Sequence, residues 1–303
     1  MSRRIEIVEV GPRDGLQNEK TLFEVSQKLE MIRRLEAAGA RRMEVVSFVN
    51  PKRVPQMAGA EEIMFALPRT AGRSRIGLVL NMRGWERCVE ARCDEANVVV
   101  CASDEFGIRN QGANVAEQID ALGAIVAART ADDPPISATV SVAFGCPFEG
   151  EVPEERVVSI VKAAAGFGVA EIALADTIGV ADPWTVRRRV ELAKAAAGGI
   201  PLRLHFHDTR NTGLANAFAG VEAGVDVLDA SVGGLGGCPF APNATGNIGT
   251  EDLVYMLERA GFETDYDLDQ LIEIGNWASD LLGKRVASSV AKAGGFPKAK
   301  VAA

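Results

Sequence analysis

Histidine is scarce in this chain: there are two in 303 residues, and both lie in Leu204-His205-Phe206-His207-Asp208-Thr209. Positive charge is also short. The formal net charge is −8, which argues against a nucleic-acid partner, because binding phosphate backbones needs a basic face. No apolar run is long enough to span a membrane, so no membrane partner is expected. The five cysteines, Cys88, Cys93, Cys101, Cys146 and Cys238, show no paired metal spacing and read as reduced thiols rather than a disulfide framework. Met1-Ser2-Arg3-Arg4 runs straight into a strand-like segment with neither an apolar nor an Arg- and Ser-rich leader, so a cytoplasmic location is expected. No internal repeat, low-complexity block or long linker interrupts residues 1–303, and a single domain is expected.

What is present is a regular alternation. Short β-branched runs fall at 5–10, 42–48, 75–80, 95–102, 137–144, 171–177, 201–207 and 225–232. Helical runs follow at 21–38, 60–67, 84–92, 113–131, 153–167, 182–198, 212–223 and 250–260. Thr21 and Glu24 have capping-box spacing, and Asp182-Pro183 places a good N-cap before a proline at the first helical position. A G-x-G-x-x-G after the first strand, the mark of a dinucleotide-binding sheet, is missing. The pattern predicts an α/β fold of the (β/α)8 TIM-barrel type, with extra helix over 267–292 and a mobile tail over 293–303.

In such barrels the chemistry sits at the C-terminal ends of the strands. His205 and His207 are two apart on a strand, so both project from one face, roughly 6.6 Å apart along the backbone, and can share a metal ion. After the first strand, Asp14 offers a carboxylate and Arg13 a permanent cation. Glu44 is an acid on an apolar strand and needs a partner, for which Arg13 is the natural candidate. The sixth strand ends at Asp176, and the eighth leads into a glycine-rich loop, Gly233-Gly234-Leu235-Gly236-Gly237, carrying Cys238. Two imidazoles and a carboxylate, with the amide oxygen of Asn247 as a further candidate, suit an open Mg2+ or Mn2+ site more than a closed zinc site. An arginine beside such a site fits enolate chemistry, carbon–carbon bond cleavage or formation next to a carbonyl. No candidate strand carries a lysine, which counts against a Schiff-base aldolase.

The stretches VGPRDGLQNEK (10–20), EVVSFVNPKRVPQM (44–57), GCPFEG (145–150), ADTIGV (175–180), HFHDT (205–209), GGLGGCPFAP (233–242) and GNIGTEDLVYML (246–257) closely resemble the 3-hydroxy-3-methylglutaryl-CoA lyase family. The resemblance extends to about residue 290, and the glycine loop with its cysteine is its most specific part. It implies a retro-Claisen cleavage of an acyl-CoA thioester to acetyl-CoA and a keto acid such as acetoacetate. Asp14, His205, His207 and Asn247 would ligate the divalent metal, Mg2+ or Mn2+. Arg13 would stabilise the enolate oxygen with Glu44 orienting it, and Cys238 would transfer a proton. Asp176 and Glu251 would support the site from close range. Lys20, Lys52 and Arg53 are candidate anchors for the CoA phosphates.

Several positions depart from the family pattern. Ser137 and Thr139 stand where an arginine and a tyrosine are usual, Arg53 replaces a usual tryptophan, and Arg210-Asn211 follows HFHDT where a glycine is common. Thr139 and Arg210 are accordingly candidate substrate-binding residues, suited to a bulkier or differently charged 3-hydroxyacyl group. The alternatives are a relative acting on citramalyl-CoA or an isoprenoid-derived glutaryl-CoA and, from a different class, a non-catalytic metal-binding barrel. A homo-oligomer, dimer or tetramer, is expected.

Overall fold

A computed structural model describes residues 3–237 and 246–297. Eight parallel strands close into a barrel in sequence order: β1 (Glu6–Glu9), β2 (Arg42–Ser47), β3 (Ser74–Val79), β4 (Glu95–Cys101), β5 (Ile136–Ser141), β6 (Glu171–Asp176), β7 (Leu202–Phe206) and β8 (Val227–Ala230). The outer layer comprises α1 (Val25–Ala37), α2 (Ala60–Ala66), α3 (Met82–Glu90), α4 (Asp104–Gln111), α5 (Val115–Ala128), α6 (Glu154–Phe167), α7 (Pro183–Ala197), α8 (Gly213–Glu222) and α9 (Thr250–Arg259). The expected TIM barrel is the fold, and no helix among the described residues is long and apolar enough to cross a membrane.

Local signals account for most helix starts. Asp182 accepts hydrogen bonds from the amides of Trp184 and Thr185, and Pro183 opens α7 as expected. The start of α1 differs. Thr21 lies outside the helix, which begins after Glu24, and the Gln27 side chain accepts from the Glu24 amide at 2.8 Å. The capping spacing recurs three residues later than expected. Helix α4, absent from the sequence expectation, is capped by Ser103, whose hydroxyl accepts from Phe106 N.

The main apolar core lies between the strands and the helices, whereas the barrel interior is unusually polar. At the N-terminal ends of the strands, Arg42 binds Glu95 and Glu171 through four hydrogen bonds of 2.7–2.9 Å. Ser137 donates to Glu95 at 2.7 Å, and Arg203 lies 3.1 Å from Glu171 and 3.5 Å from Asp229. The departure at Ser137 therefore belongs to this ionic floor, away from the cavity at the other end. Two residues further along the strands, on the same inward face, come Glu44, Asn97, Thr139 and His205.

The C-terminal segment has a structural task. Helices α10 (Leu268–Leu282) and α11 (Ser289–Ala293) flank Ala287 and Ser288, whose amides donate to Gly233 O at 2.9 and 3.0 Å. The extra helix thus braces the base of the glycine loop. Of the tail expected to be mobile, residues 298–303 lie outside the described residues, and Phe296 stacks under the Arg259 guanidinium at 4.1 Å.

Glu9, at the end of β1, is fully buried and ties three segments together. It accepts from the amides of Gly11 (2.7 Å) and Val232 (3.0 Å) and from the Thr250 hydroxyl (2.7 Å). Burial pushes its pKa up to about 7 despite these donors. Because the folded value exceeds the unfolded one, the associated stability is full below about pH 4.5 and is lost as pH rises through 7. At about 1.4 kcal/mol per pKa unit, the loss is about 3 kcal/mol. Glu9→Gln, which keeps an acceptor for both amides, is expected to flatten the fall of melting temperature between pH 5 and 8. A variant curve parallel to the parent's would contradict this assignment.

Candidate active site

Three departures from regular geometry assemble the site. The first is a wide helical turn, Gly11–Gly15, directly after β1, which turns the adjacent residues Arg13 and Asp14 into the barrel mouth. A Cβ at Gly15 would come within 2.7 Å of the Ser231 hydroxyl, so the turn needs glycine for its close approach to the end of β8. The second is a splay between β7 and β8, whose ladder holds only Arg203 with Val227 and Leu204 with Leu228.

Returning chain fills that gap. Ile248 N donates to Phe206 O at 3.1 Å, Ser231 N to Ile248 O at 3.0 Å, and Asp208 N to Gly246 O at 3.0 Å. Asn247 consequently pairs in an antiparallel bridge with His207, forty positions earlier in the chain. The third departure is Val142, a fully buried β-branched residue with φ +49°, just past the end of β5. Such a conformation costs about 1–3 kcal/mol. It is held by a bond from Val142 N to the Thr177 hydroxyl at 2.8 Å.

Asp14, His205 and His207 each present a ligand atom within 4.8 Å of the others. Asp14 Oδ2 lies 3.6 Å from His207 Nε2 and 4.0 Å from His205 Nε2. His205 Nδ1 pairs with Asp229 Oδ2 at 3.0 Å, which sets the tautomer and leaves Nε2 facing Asp14. Asn247 Nδ2 donates to Asp14 Oδ2 (2.8 Å) and to Leu235 O (3.0 Å), which fixes the amide orientation. Its Oδ1 is then buried with no hydrogen-bond partner among the described residues. Two imidazoles and a carboxylate within reach of one another are a donor set that a divalent cation fits, with Asn247 held against Asp14 through its amide nitrogen.

Burial would raise the Asp14 carboxyl, but Arg13 and the two histidines hold it well below the usual range. Burial likewise opposes charge on His205, and the bond to Asp229 outweighs it, so its pKa is raised. Asp229→Asn is expected to weaken divalent-metal affinity about 10–100-fold, as loss of an outer partner of a histidine ligand typically does. Calorimetric titration checks this, and unchanged affinity would contradict the role given to Asp229.

Arg13 donates to Asp14 Oδ1 at 2.6 Å and is in close contact with Glu44, which is 1% exposed. This is the partner that a buried acid on β2 requires. The cavity above them measures 690 Å3 and is lined by Arg13, Asp14, Asn97, Thr139, His205 and His207, with Lys52, Arg53, Arg83 and Arg87 also on its walls.

Other expected residues sit elsewhere. Both Asp176 oxygens are taken by the amides of Val180 (2.9 Å) and Ala181 (3.0 Å), so this fully buried acid closes the turn after β6. Glu251 accepts from Gly233 N through both oxygens at 2.9 Å and pins the glycine loop, with burial raising its pKa to about 8. Arg210 does not face the cavity: its guanidinium donates to Ile178 O (3.0 Å) and Gly179 O (2.9 Å), satisfying turn carbonyls. Lys20 is exposed and outside the cavity lining. Cys238 lies outside the described residues, while Gly237 before it lines the cavity and accepts from Asn18 Nδ2 at 2.7 Å. Sequence reasoning missed Glu9, Asn97 and Asp229. The available signal was a polar residue on an apolar strand, the one applied to Glu44.

The fold and site define a barrel enzyme of the carbon–carbon lyase class, with a candidate metal centre at the C-terminal ends of its strands. Residues 4–277 match the HMGL-like family profile, and the chain belongs to that family. It is 41% identical over 300 residues to the (R)-citramalyl-CoA lyase of Chloroflexus aurantiacus, covering 96% of this chain and 95% of that one. It is 37% identical over 286 residues to the hydroxymethylglutaryl-CoA lyase of Bacillus subtilis, covering 94% and 96%. Among solved structures, an HMG-CoA lyase from Acinetobacter baumannii in complex with coenzyme A and 3-methylmalate superposes with a TM-score of 0.93 at 40% identity, covering 97% and 98%.

Proposed function

We propose that this protein is a divalent-metal-dependent lyase that cleaves 3-hydroxy-3-methylglutaryl-CoA, or a close analogue, to acetyl-CoA and a keto acid. The observation that carries the reading is the Asp14, His205 and His207 cluster on the cavity wall next to Arg13. Bound there, Mg2+ or Mn2+ would supply Lewis acidity toward the substrate's 3-hydroxyl. Arg13 holds the carbonyl oxygen of the thioester half, where negative charge develops as the C2–C3 electron pair moves into the enolate. Glu44 fixes the guanidinium plane. The hydroxyl proton leaves as the keto acid forms, and C2 regains a proton to give acetyl-CoA. Family resemblance assigns that proton transfer to Cys238.

Lys52, Arg53 and Arg83 make no side-chain ion pair among the described residues and stand on the cavity wall, where they suit the phosphates of CoA. A second reading, citramalyl-CoA, is favoured by the β4–β5 wall. It offers Asn97, Thr139 and Ser141 to the cavity but no cation, so a carboxylate borne directly on the hydroxyl carbon, close to the metal residues and Arg13, asks nothing of it. The relative at 41% identity is named for that substrate. Incubating the protein and Mn2+ with a panel of 3-hydroxyacyl-CoA thioesters tests both readings: acetoacetate identifies the first substrate and pyruvate the second. Absence of acetyl-CoA from every member, with metal bound, would sink the lyase reading.

A further inference from the structure

Glu44 has two oxygens and is 1% exposed, so each oxygen requires a donor. Oε1 faces the Arg13 guanidinium. Oε2 accepts from Asn97 Nδ2 at 2.7 Å, and Asn97 Oδ1 accepts from the Thr139 hydroxyl at 2.8 Å. The order of donors is fixed. A flipped Asn97 amide would set its oxygen against a carboxylate oxygen, and the Thr139 hydroxyl has one proton, already committed. Four elements, the turn after β1 and strands β2, β4 and β5, are therefore joined in one hydrogen-bonded chain ending on Arg13. Asn97 is 3% exposed, and both Asn97 and Thr139 line the cavity.

We propose that Asn97 and Thr139 are positioning residues for catalysis, which lock Glu44 and, through it, the Arg13 guanidinium in the orientation that receives the enolate oxygen. This rests on the role given to Arg13 above. Without Asn97, one buried carboxylate oxygen lacks a donor, and Glu44 is free to turn away from Arg13. The same commitment shapes the wall that the acyl group meets. Thr139 shows the substrate its methyl and hydroxyl lone pairs but no proton, and β4 and β5 contribute no charge there. This surface takes an uncharged branch of the acyl group and leaves the carboxylate to the metal residues and Arg13.

The test is a double-mutant cycle read by steady-state kinetics on the metal-loaded protein, using whichever thioester of the panel turns over. Asn97→Leu, close in shape, is expected to lower kcat about 10–100-fold, with KM and Mn2+ affinity within about threefold of the parent. Thr139→Val is expected to lower kcat several-fold. Thr139→Ser, which keeps the hydroxyl, recovers it, with any residual change in KM. In an Arg13→Gln background, Asn97→Leu is expected to cause no further loss. Parent-like kcat in Asn97→Leu, or an equal fall in both backgrounds, overturns the proposal. Should Asn97→Leu fail to fold, the Thr139 pair decides: equal kcat in Val and Ser variants overturns it. Failure of the underlying reading is distinguishable, because Arg13→Gln alone would then turn over at the parent rate.

Discussion

Alanine in place of His207 is expected to reduce acetyl-CoA release by about 10^3-fold or more and to weaken Mn2+ binding beyond the 10–100-fold typical of outer-shell changes. His207 is 3% exposed, its Nε2 faces Asp14 Oδ2 at 3.6 Å, and its Nδ1 has no hydrogen-bond partner among the described residues. Its side chain is therefore not committed to holding the fold, as His205 is through Asp229. Loss of His207 leaves Asp14, His205 and Asn247, too few to hold the ion as the parent does. The melting temperature without metal should change little, while the stabilisation conferred by added Mn2+ should largely disappear, since a ligand that binds only the folded state stabilises by mass action. Calorimetry and a thermal scan, each with and without Mn2+, check both halves. Parent-like affinity would contradict the placement of the ion.

Arg13→Gln is expected to lower kcat about 10^2–10^3-fold, the scale seen when one donor to a developing oxyanion is removed. It also strands a buried charge. Glu44 would lose its cation inside the barrel, and breaking a buried pair from one side costs about 3–5 kcal/mol. The double variant Arg13→Gln/Glu44→Gln separates the effects: stability should return, because no carboxylate remains unpaired, and turnover should not. Recovery of turnover in the double variant would show that Arg13 only neutralises Glu44.

How much of this was legible in the sequence depended on the distance over which each contact is made. The two histidines share a face by strand periodicity alone, and Asp14 follows from its position after the first strand. The pairing of Glu44 with Arg13 follows because a buried acid needs a cation. Asp229, Glu9 and Asn97 were each signalled only as a polar residue on an apolar strand. The partner each one takes, including the Asn97–Thr139 link, was not legible, because it is settled only when eight strands close with a defined stagger. Asn247 and His207 meet because β7 and β8 splay and a returning segment pairs between them, a tertiary event that no local pattern announces. Arg210 shows the opposite failure. A cation beside a catalytic motif read as substrate-facing, but nearby turn carbonyls needed donors and took it.

The most direct measurement of the central claim is acetyl-CoA release by chelator-stripped protein, before and after Mg2+ or Mn2+ is restored, with a 3-hydroxyacyl-CoA as substrate. A cluster of Asp14, His205 and His207 predicts no release from the stripped protein and full recovery on adding the ion. Release at the same rate with the metal removed would contradict it.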